Sequence, residues 1–166
     1  MIRTAILTVS DKGSIGERID TTVQEIRSIL SEGPFVEVDY QIVPDEQAVI
    51  RSKLRIWADG NEVDFVVTSG GTGLALRDRT PEATAEVIER EIPGIAELMR
   101  IVGMQKTRFA ALSRAKAGVR SQTLIINLPG SPTGAREMLD AIIKIIPHAV
   151  DTITGEKRSA PDDWHS

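Results

Sequence analysis

The residues best suited to chemistry stand in one short run, Thr68-Ser69-Gly70-Gly71-Thr72-Gly73. Three glycines in four positions let a backbone turn sharply and aim several N–H groups at one anion. The hydroxyls of Thr68, Ser69 and Thr72 add donors, so phosphate is the natural guest. A tight strand-to-helix turn uses the same residues, and spacing alone leaves both readings open. The run lacks the Gly-Lys-Ser/Thr ending of a Walker A loop and the Gly-x-Gly-x-x-Gly spacing of a dinucleotide fingerprint.

Two aspartates accompany this loop. Asp78 lies in Arg77-Asp78-Arg79-Thr80-Pro81-Glu82, just before a helix that Thr80 would cap and Pro81 would open. Asp45 follows Pro44, between a strand and another helix. Each alone reads as a cap or a favourable charge at a helix N-terminus. Together they carry more meaning, because carboxylates beside a phosphate cradle repel the ligand unless a cation intervenes. Mg²⁺ resolves that conflict by taking one or two carboxylates and completing its shell with water and phosphate oxygens. The pattern therefore points to a Mg²⁺-nucleotide site with Asp45 and Asp78 as metal ligands.

A third group comprises Leu112-Ser113-Arg114 and Asn127-Leu128-Pro129-Gly130-Ser131-Pro132. Arg114 is suited to clamp a phosphate. Gly130 and Ser131 open a helix, where N–H groups bind anions and Ser131 also caps. Ser10 and Asp11 end the first strand and would line the same sheet edge. Arg77 and Arg79 read as solvated charges, and His148 as structural.

The elements that must position these residues follow from periodicity. Thr4 to Val9 is a strand ending in a polar, Gly-containing loop, and a helix fits from Asp20 to Leu30, stopped by Gly33-Pro34. Val36 to Val43 is a second strand, in which Val36, Val38 and Tyr40 alternate with polar residues. A helix with Ile50, Leu54 and Trp57 on one face follows, then a buried third strand at Phe65–Thr68. Alternating strands and helices predict right-handed crossovers and a parallel sheet. Helices are expected after Pro81 and after Pro93-Gly94, then a hairpin of Ala115–Val119 with Thr123–Leu128. A long helix from Ser131-Pro132 and a short one over His148–Thr154, closed by Gly155, complete the chain. The fold class is α/β, a three-layer sandwich with a mostly parallel central sheet and helices on both faces. The 166 residues read as a single domain, with 156–166 a flexible tail.

Composition excludes several alternatives. With 41% hydrophobic and 27% charged residues the chain is an ordinary globular one. There is no cysteine and there are two histidines, which rules out disulfides, thiolate chemistry and a His-built zinc centre. A net charge of −4 offers no general attraction to nucleic acid or anionic membranes. No apolar run approaches the ~18 residues of a membrane span, and no signal-peptide pattern opens the chain, so a cytoplasmic protein is expected.

In this order the motifs resemble the molybdopterin adenylyltransferases, the MogA/MoaB family that includes the G domain of gephyrin. The resemblance runs from about residue 4 to 155. It is carried by Ser10-Asp11 with the loop to Asp20, Val43-Pro44-Asp45-Glu46, Thr68–Gly73, Arg77-Asp78 with Thr80-Pro81-Glu82, Leu112-Ser113-Arg114 with Gly118, and Asn127–Pro132. It implies transfer of AMP from Mg-ATP to the terminal phosphate of molybdopterin, with release of pyrophosphate. It also implies a homo-oligomer, a trimer or, on the MoaB side, a hexamer. Asp45 and Asp78 fall on the family's two essential aspartates, and Ser113 and Asn127 on positions of its pterin and nucleotide pocket. The glycine loop and Pro129-Gly130-Ser131 fall on its ligand-binding loops, and Glu82 is grouped with the nucleotide-binding residues. Val23 and Gly103 depart from a glycine and a serine common in relatives. Ile146-Pro147-His148-Ala149 looks closer to MoaB. Two alternatives stand beside the enzyme: a non-catalytic molybdopterin carrier of the same fold, and an oligomeric scaffold module.

Overall fold

A computed structural model describes residues 1–159. The elements are β1 (Ile2–Val9), α1 (Asp11–Ser14), α2 (Thr22–Leu30), β2 (Phe35–Val43), α3 (Gln47–Asp59), β3 (Phe65–Ser69), α4 (Thr80–Val87), β4 (Arg90–Glu91), α5 (Pro93–Met104), β5 (Ala117–Arg120), β6 (Thr123–Leu128), α6 (Pro132–Ile142) and α7 (Ile146–Thr154). A 3-10 turn, Arg108–Leu112, joins α5 to β5.

The strands form one sheet in the order β2-β1-β3-β6-β5-β4. The first four are mutually parallel, whereas β5 runs antiparallel to both β6 and β4. Burial on both faces explains the unbroken apolar runs of the central strands. Adjacent residues serve opposite layers: Ile6, Val67 and Ile126 pack with α2, α5, α6 and α7, while Leu7, Val66 and Ile125 pack with α3 and α4. That alternation is the three-layer sandwich expected from the sequence.

Topology places the site. The chain leaves β1 toward β2 on one side, and β3 stands on β1's other side. Such a reversal opens a crevice at the carboxyl ends of the two strands, where open α/β sheets bind ligands. Val9-Ser10 and Ser69-Gly70 form its two lips, and β2 and β6 bring Pro44-Asp45 and Pro129-Gly130 to the same edge.

Several expectations change in detail. The loop after β1 contains one helical turn, α1, capped by the Ser10 hydroxyl, which accepts from Gly13 N. The alternation in β2 does not bury its valines: Val36 and Val38 are 40% and 47% exposed, because β2 is an edge strand. The hairpin β5–β6 forms, with Ser121 left-handed at its tip. Thr80 does not cap its own helix, since its hydroxyl donates to Gly70 O at 2.9 Å. Strand β4 and the 3-10 turn are too short to carry a periodic signal. Part of the expected tail has partners on the domain. Asp151 accepts the N–H groups of Arg158 and Ser159, and Arg158 also faces Asp64. The rest of that expected tail, 160–166, lies outside the described residues.

Candidate active site

The glycine loop is shaped by contacts that only glycine permits. Gly70 and Gly71 have φ of +98° and +70°. A Cβ on Gly70 would lie 2.3 Å from Val9 O, so the loop closes onto the end of β1 across the crevice. Gly70 N donates to Leu128 O, and the Thr80 hydroxyl and N–H donate to the carbonyls of Gly70 and Gly71. Those bonds occupy the carbonyls of Gly70 and Gly71, and Arg114 N and Nε take those of Thr72 and Gly73. Among the described residues no protein group accepts the N–H of Gly71, Thr72 or Gly73. Successive amides without protein partners, following the left-handed Gly70 and Gly71, are chemically suited to receive an anion.

The two aspartates flank this loop. A Cβ on Gly71 would stand 3.3 Å from Asp45 Oδ1, and one on Gly73 would stand 2.9 Å from Asp78 Oδ2. Asp45 is fixed by a reciprocal pair: its Oδ2 accepts from Asp11 N at 3.0 Å, and its own N–H donates to Asp11 Oδ1 at 2.9 Å. Asp78 Oδ2 accepts from Ala75 N at 3.0 Å. Burial pushes the Asp45 carboxyl above the ordinary range, and the nearby charges of Asp11 and Asp78 push the same way. Charge crowding of this kind is what a bound cation relieves. Among the described residues there is no group of three or more acidic or histidine side chains able to hold a metal unaided. Two carboxylates beside a phosphate cradle fit Mg²⁺, which keeps water and phosphate oxygens in its shell.

Asp11 takes a different part from a ligand-binding carboxylate. Arg77 grips it through Nε and Nη2 at 2.6 and 2.8 Å, holding its carboxyl below the usual range. Arg77, expected to be merely solvated, thus braces the Asp11–Asp45 pair. Arg114 does not project a free guanidinium for phosphate. It binds Glu82 at 2.7 Å, Gly73 O at 2.8 Å and Asp78 O at 2.7 Å, tying the Asp78 loop to α4. Arg114 and Glu82 are therefore a strut, bordering a separate cleft of about 420 Å³. Asn127 is fully buried, donating to the hydroxyls of Thr68 and Thr84 and accepting from Lys116 N. Asn127 and Thr68 stabilise the sheet beneath the site and line neither of the cavities described next.

Two cavities meet at the loop. One, of about 520 Å³, is the more polar and takes in Ser10, Asp45, Ser69, Gly70, Gly71, Asp78, Gly130 and Ser131. The other, of about 440 Å³, is largely apolar, with Thr72, Gly73, Ser113, Pro129 and Ser131 beside Leu74 and Phe109. Ser131 borders both and caps α6 by accepting from Gly134 N. The glycine loop lies between the two cavities, with Gly70 and Gly71 in the first and Thr72 and Gly73 in the second.

The 15–21 loop also lines the polar cavity, and only its end, Asp20, carries a motif signal. Asp20 Oδ2 accepts from the hydroxyls of Thr8 (2.6 Å) and Tyr40, while its Oδ1 accepts from Val23 N. Burial, and then Asp20, push the Tyr40 hydroxyl up to about 12. The two departures from relatives have local causes. Val23 is buried in the core. A Cβ on Gly103 would stand 2.9 Å from the Ala110 Cβ, so glycine lets α5 meet the 3-10 turn.

The fold and site define a doubly wound α/β domain with an acidic, amide-rich crevice at its switch point. Residues 5–148 match the family described as a probable molybdopterin binding domain. The molybdopterin adenylyltransferase of Helicobacter pylori is 45% identical over 156 residues, covering 93% of this chain and 89% of the relative. That of Escherichia coli K12 is 38% identical over 144 residues, covering 85% and 73%. Among solved structures, the molybdopterin biosynthesis enzyme MoaB from Thermus thermophilus superposes with a TM-score of 0.89 at 59% identity, covering 94% of this chain and 98% of that one. The tungsten cofactor synthesizing protein MoaB from Pyrococcus furiosus gives a TM-score of 0.82 at 32% identity, covering 92% and 96%. The chain belongs to the molybdopterin-binding domain family. No helix among the described residues is long and apolar enough to cross a membrane.

Proposed function

We infer that this chain is a cytoplasmic molybdopterin adenylyltransferase of molybdenum cofactor biosynthesis. A terminal phosphate oxygen of molybdopterin attacks the α-phosphorus of ATP. A new P–O bond forms, the bond to the β-phosphate oxygen breaks, and pyrophosphate leaves with that electron pair. The product is adenylyl-molybdopterin. The observation that carries this reading is the glycine loop, with three amides that no described protein group accepts and a carboxylate on either side.

Two anions must meet here, so the protein's task is positioning and charge neutralisation rather than covalent catalysis. Asp45 and Asp78 are the residues that would hold Mg²⁺, which when bound offsets charge on the nucleotide phosphates. The amides of Gly71, Thr72 and Gly73 receive phosphate oxygens without reorganising, because Thr80 and Leu128 already fix the loop. Ser10, Ser69 and Ser131 supply hydroxyls in the polar chamber. The apolar chamber beside Ser113 suits a planar heterocycle better than a polyphosphate. Self-association belongs to the reading as well. Its support is the pair of exposed apolar side chains Ile101 and Met104 on α5, outside both cavities.

The direct test is to incubate the protein with molybdopterin, ATP and Mg²⁺ and measure pyrophosphate and adenylyl-molybdopterin. Stoichiometric appearance of both supports the reading. Binding of molybdopterin without either product returns the protein to the role of carrier.

A further inference from the structure

We propose that Arg18 is a phosphate-recognising residue of this site, carried over the polar cavity by a strap whose end Asp20 pins to the sheet. The inference rests on the adenylyltransferase reading and gives it a cation to which no role has been assigned.

The charged side chains lining the polar cavity are Asp20, Asp45, Asp78 and Arg18. Among the described residues, Arg18 is thus the one basic group lining a chamber meant for polyanions. The arginines next to the site are committed elsewhere: Arg77 to Asp11, and Arg114 to Glu82 and two carbonyls. Arg18, by contrast, has no hydrogen-bond or ion-pair partner among the described residues.

Its freedom has a structural cause. The nearest carboxylate in sequence on the cavity wall, Asp20, already accepts three hydrogen bonds, from the Thr8 and Tyr40 hydroxyls and from Val23 N. Those bonds fill both sites of Oδ2 and one of Oδ1, so a bidentate grip by a guanidinium two residues away would have to displace one of them. Tyr40, with its hydroxyl pushed up to about 12, stays a neutral donor through the physiological range. The other end of the strap is closed by Gly16 N on Gly13 O and Glu17 N on Lys12 O, with Gly16 left-handed at the turn. Beyond Asp20, the Thr22 hydroxyl donates to Gly130 O and ties the strap's exit to the loop that carries Ser131. Arg18 is therefore exposed between two fixed points, its position set and its charge uncommitted. A guanidinium fork matches two phosphate oxygens, a geometry that lysine does not reproduce.

The phosphate could belong to the nucleotide or to molybdopterin, and the experiment separates them. Arg18→Gln and Arg18→Lys are compared with the full-length protein in steady-state assays that vary Mg-ATP and molybdopterin in turn. Arg55→Gln, on α3 and outside both cavities, is the control for a changed net charge. The expected result is a rise of tenfold or more in one KM in Arg18→Gln, only partly restored in Arg18→Lys and shrinking as salt is raised. A rise confined to ATP assigns the nucleotide phosphates, and one confined to molybdopterin assigns the pterin phosphate. Calorimetric titration with magnesium pyrophosphate, Mg-ATP and molybdopterin reads the same contact without turnover. If Arg18→Gln binds all three as the unmodified protein does, with both KM values unchanged, the proposal is overturned. A protein that binds these ligands in an Arg18-dependent way yet releases no pyrophosphate would overturn the enzyme reading and leave this one standing. Tyr40→Phe, which removes one pin from Asp20, should raise the same KM by less. In Arg18→Gln it should have almost no further effect, whereas a purely structural role would give additive changes.

Discussion

Gly73→Ala separates the chemistry of Asp78 from the stability of the fold. Gly73 does not have a positive φ, so alanine meets no backbone strain there. The new Cβ would stand 2.9 Å from Asp78 Oδ2, where ordinary contact begins at 3.4 Å. The atom that must yield is the end of a side chain, so Asp78 swings aside by roughly half an ångström or more and its hydrogen bond from Ala75 N is lost. Losing that exposed bond costs about 0.5–1.5 kcal/mol. Replacing glycine returns about 0.4–1 kcal/mol by restricting the unfolded chain. The net change in stability is therefore within about 1 kcal/mol, or a Tm shift of about 2–4 °C for a chain of this size. Catalysis does not share this tolerance, since displacing a positioning group by about 1 Å can cost about 100-fold. The assay is pyrophosphate release from molybdopterin and Mg-ATP, alongside a thermal melt of the same sample. A cooperative melt near that of the unmodified protein, with kcat/KM reduced by about 30- to 100-fold, is expected. Unchanged turnover would refute the placement of Asp78 at the reacting phosphates.

Three further outcomes follow from the same geometry. In Asp45→Asn the amide oxygen can still accept from Asp11 N, while the ionised carboxylate is gone. Asp45 is pushed above its ordinary value, so its contribution to stability is full below the unfolded-state value of about 3.9 and is lost as pH rises through the folded one. Asp45→Asn should therefore melt higher than the unmodified protein at neutral pH when free of ligand, the gap closing in acid, while losing about 100-fold or more in kcat and its magnesium-dependent stabilisation by ATP. Gly71→Ala combines left-handed strain of about 1–2 kcal/mol with loss of the Thr80 hydroxyl bond, about 0.5–1.5 kcal/mol, because its Cβ would stand 2.3 Å from Thr80 Oγ1. Gly16→Ala, with φ +78° and open space around it, carries the strain alone, so denaturant melts should rank Gly71→Ala as the less stable. Asn127→Ala should lose roughly 2–4 kcal/mol by stranding buried partners, yet keep both KM values within about twofold when assayed well below its melting temperature, the mark of a scaffold residue.

Much of this is legible in the sequence where one rule acts alone. The β3 run and the glycines after it give both the buried strand and the turn, since no other reading satisfies five consecutive buried residues followed by two left-handed positions. Asp45 and Asp78 can be linked from sequence because each precedes a helix start close to the sheet edge that carries the glycine loop, and the structure brings both carboxylates beside that loop. What stays hidden is set by tertiary partners. Arg114 looks like a phosphate clamp, and Glu82 is grouped with the nucleotide-binding residues, until each is found gripping the other. Arg77 looks solvated because Asp11, 66 residues away in sequence, has no local signature. Asn127 looks like a pocket residue because its register against Thr68 and α4 depends on strand pairing. The strap around Arg18 lacks periodicity, and its importance rests on Tyr40 and Thr8 from two different strands.

The most direct measurement is a crystal structure of the protein with ATP and Mn²⁺ in place of Mg²⁺, with anomalous data to locate the metal. The expected map holds one metal peak bridging the carboxylates of Asp45 and Asp78 to the nucleotide phosphates, with phosphate oxygens on the amides of Gly71, Thr72 and Gly73. A metal that touches neither aspartate, or a nucleotide bound away from the glycine loop, would contradict the account.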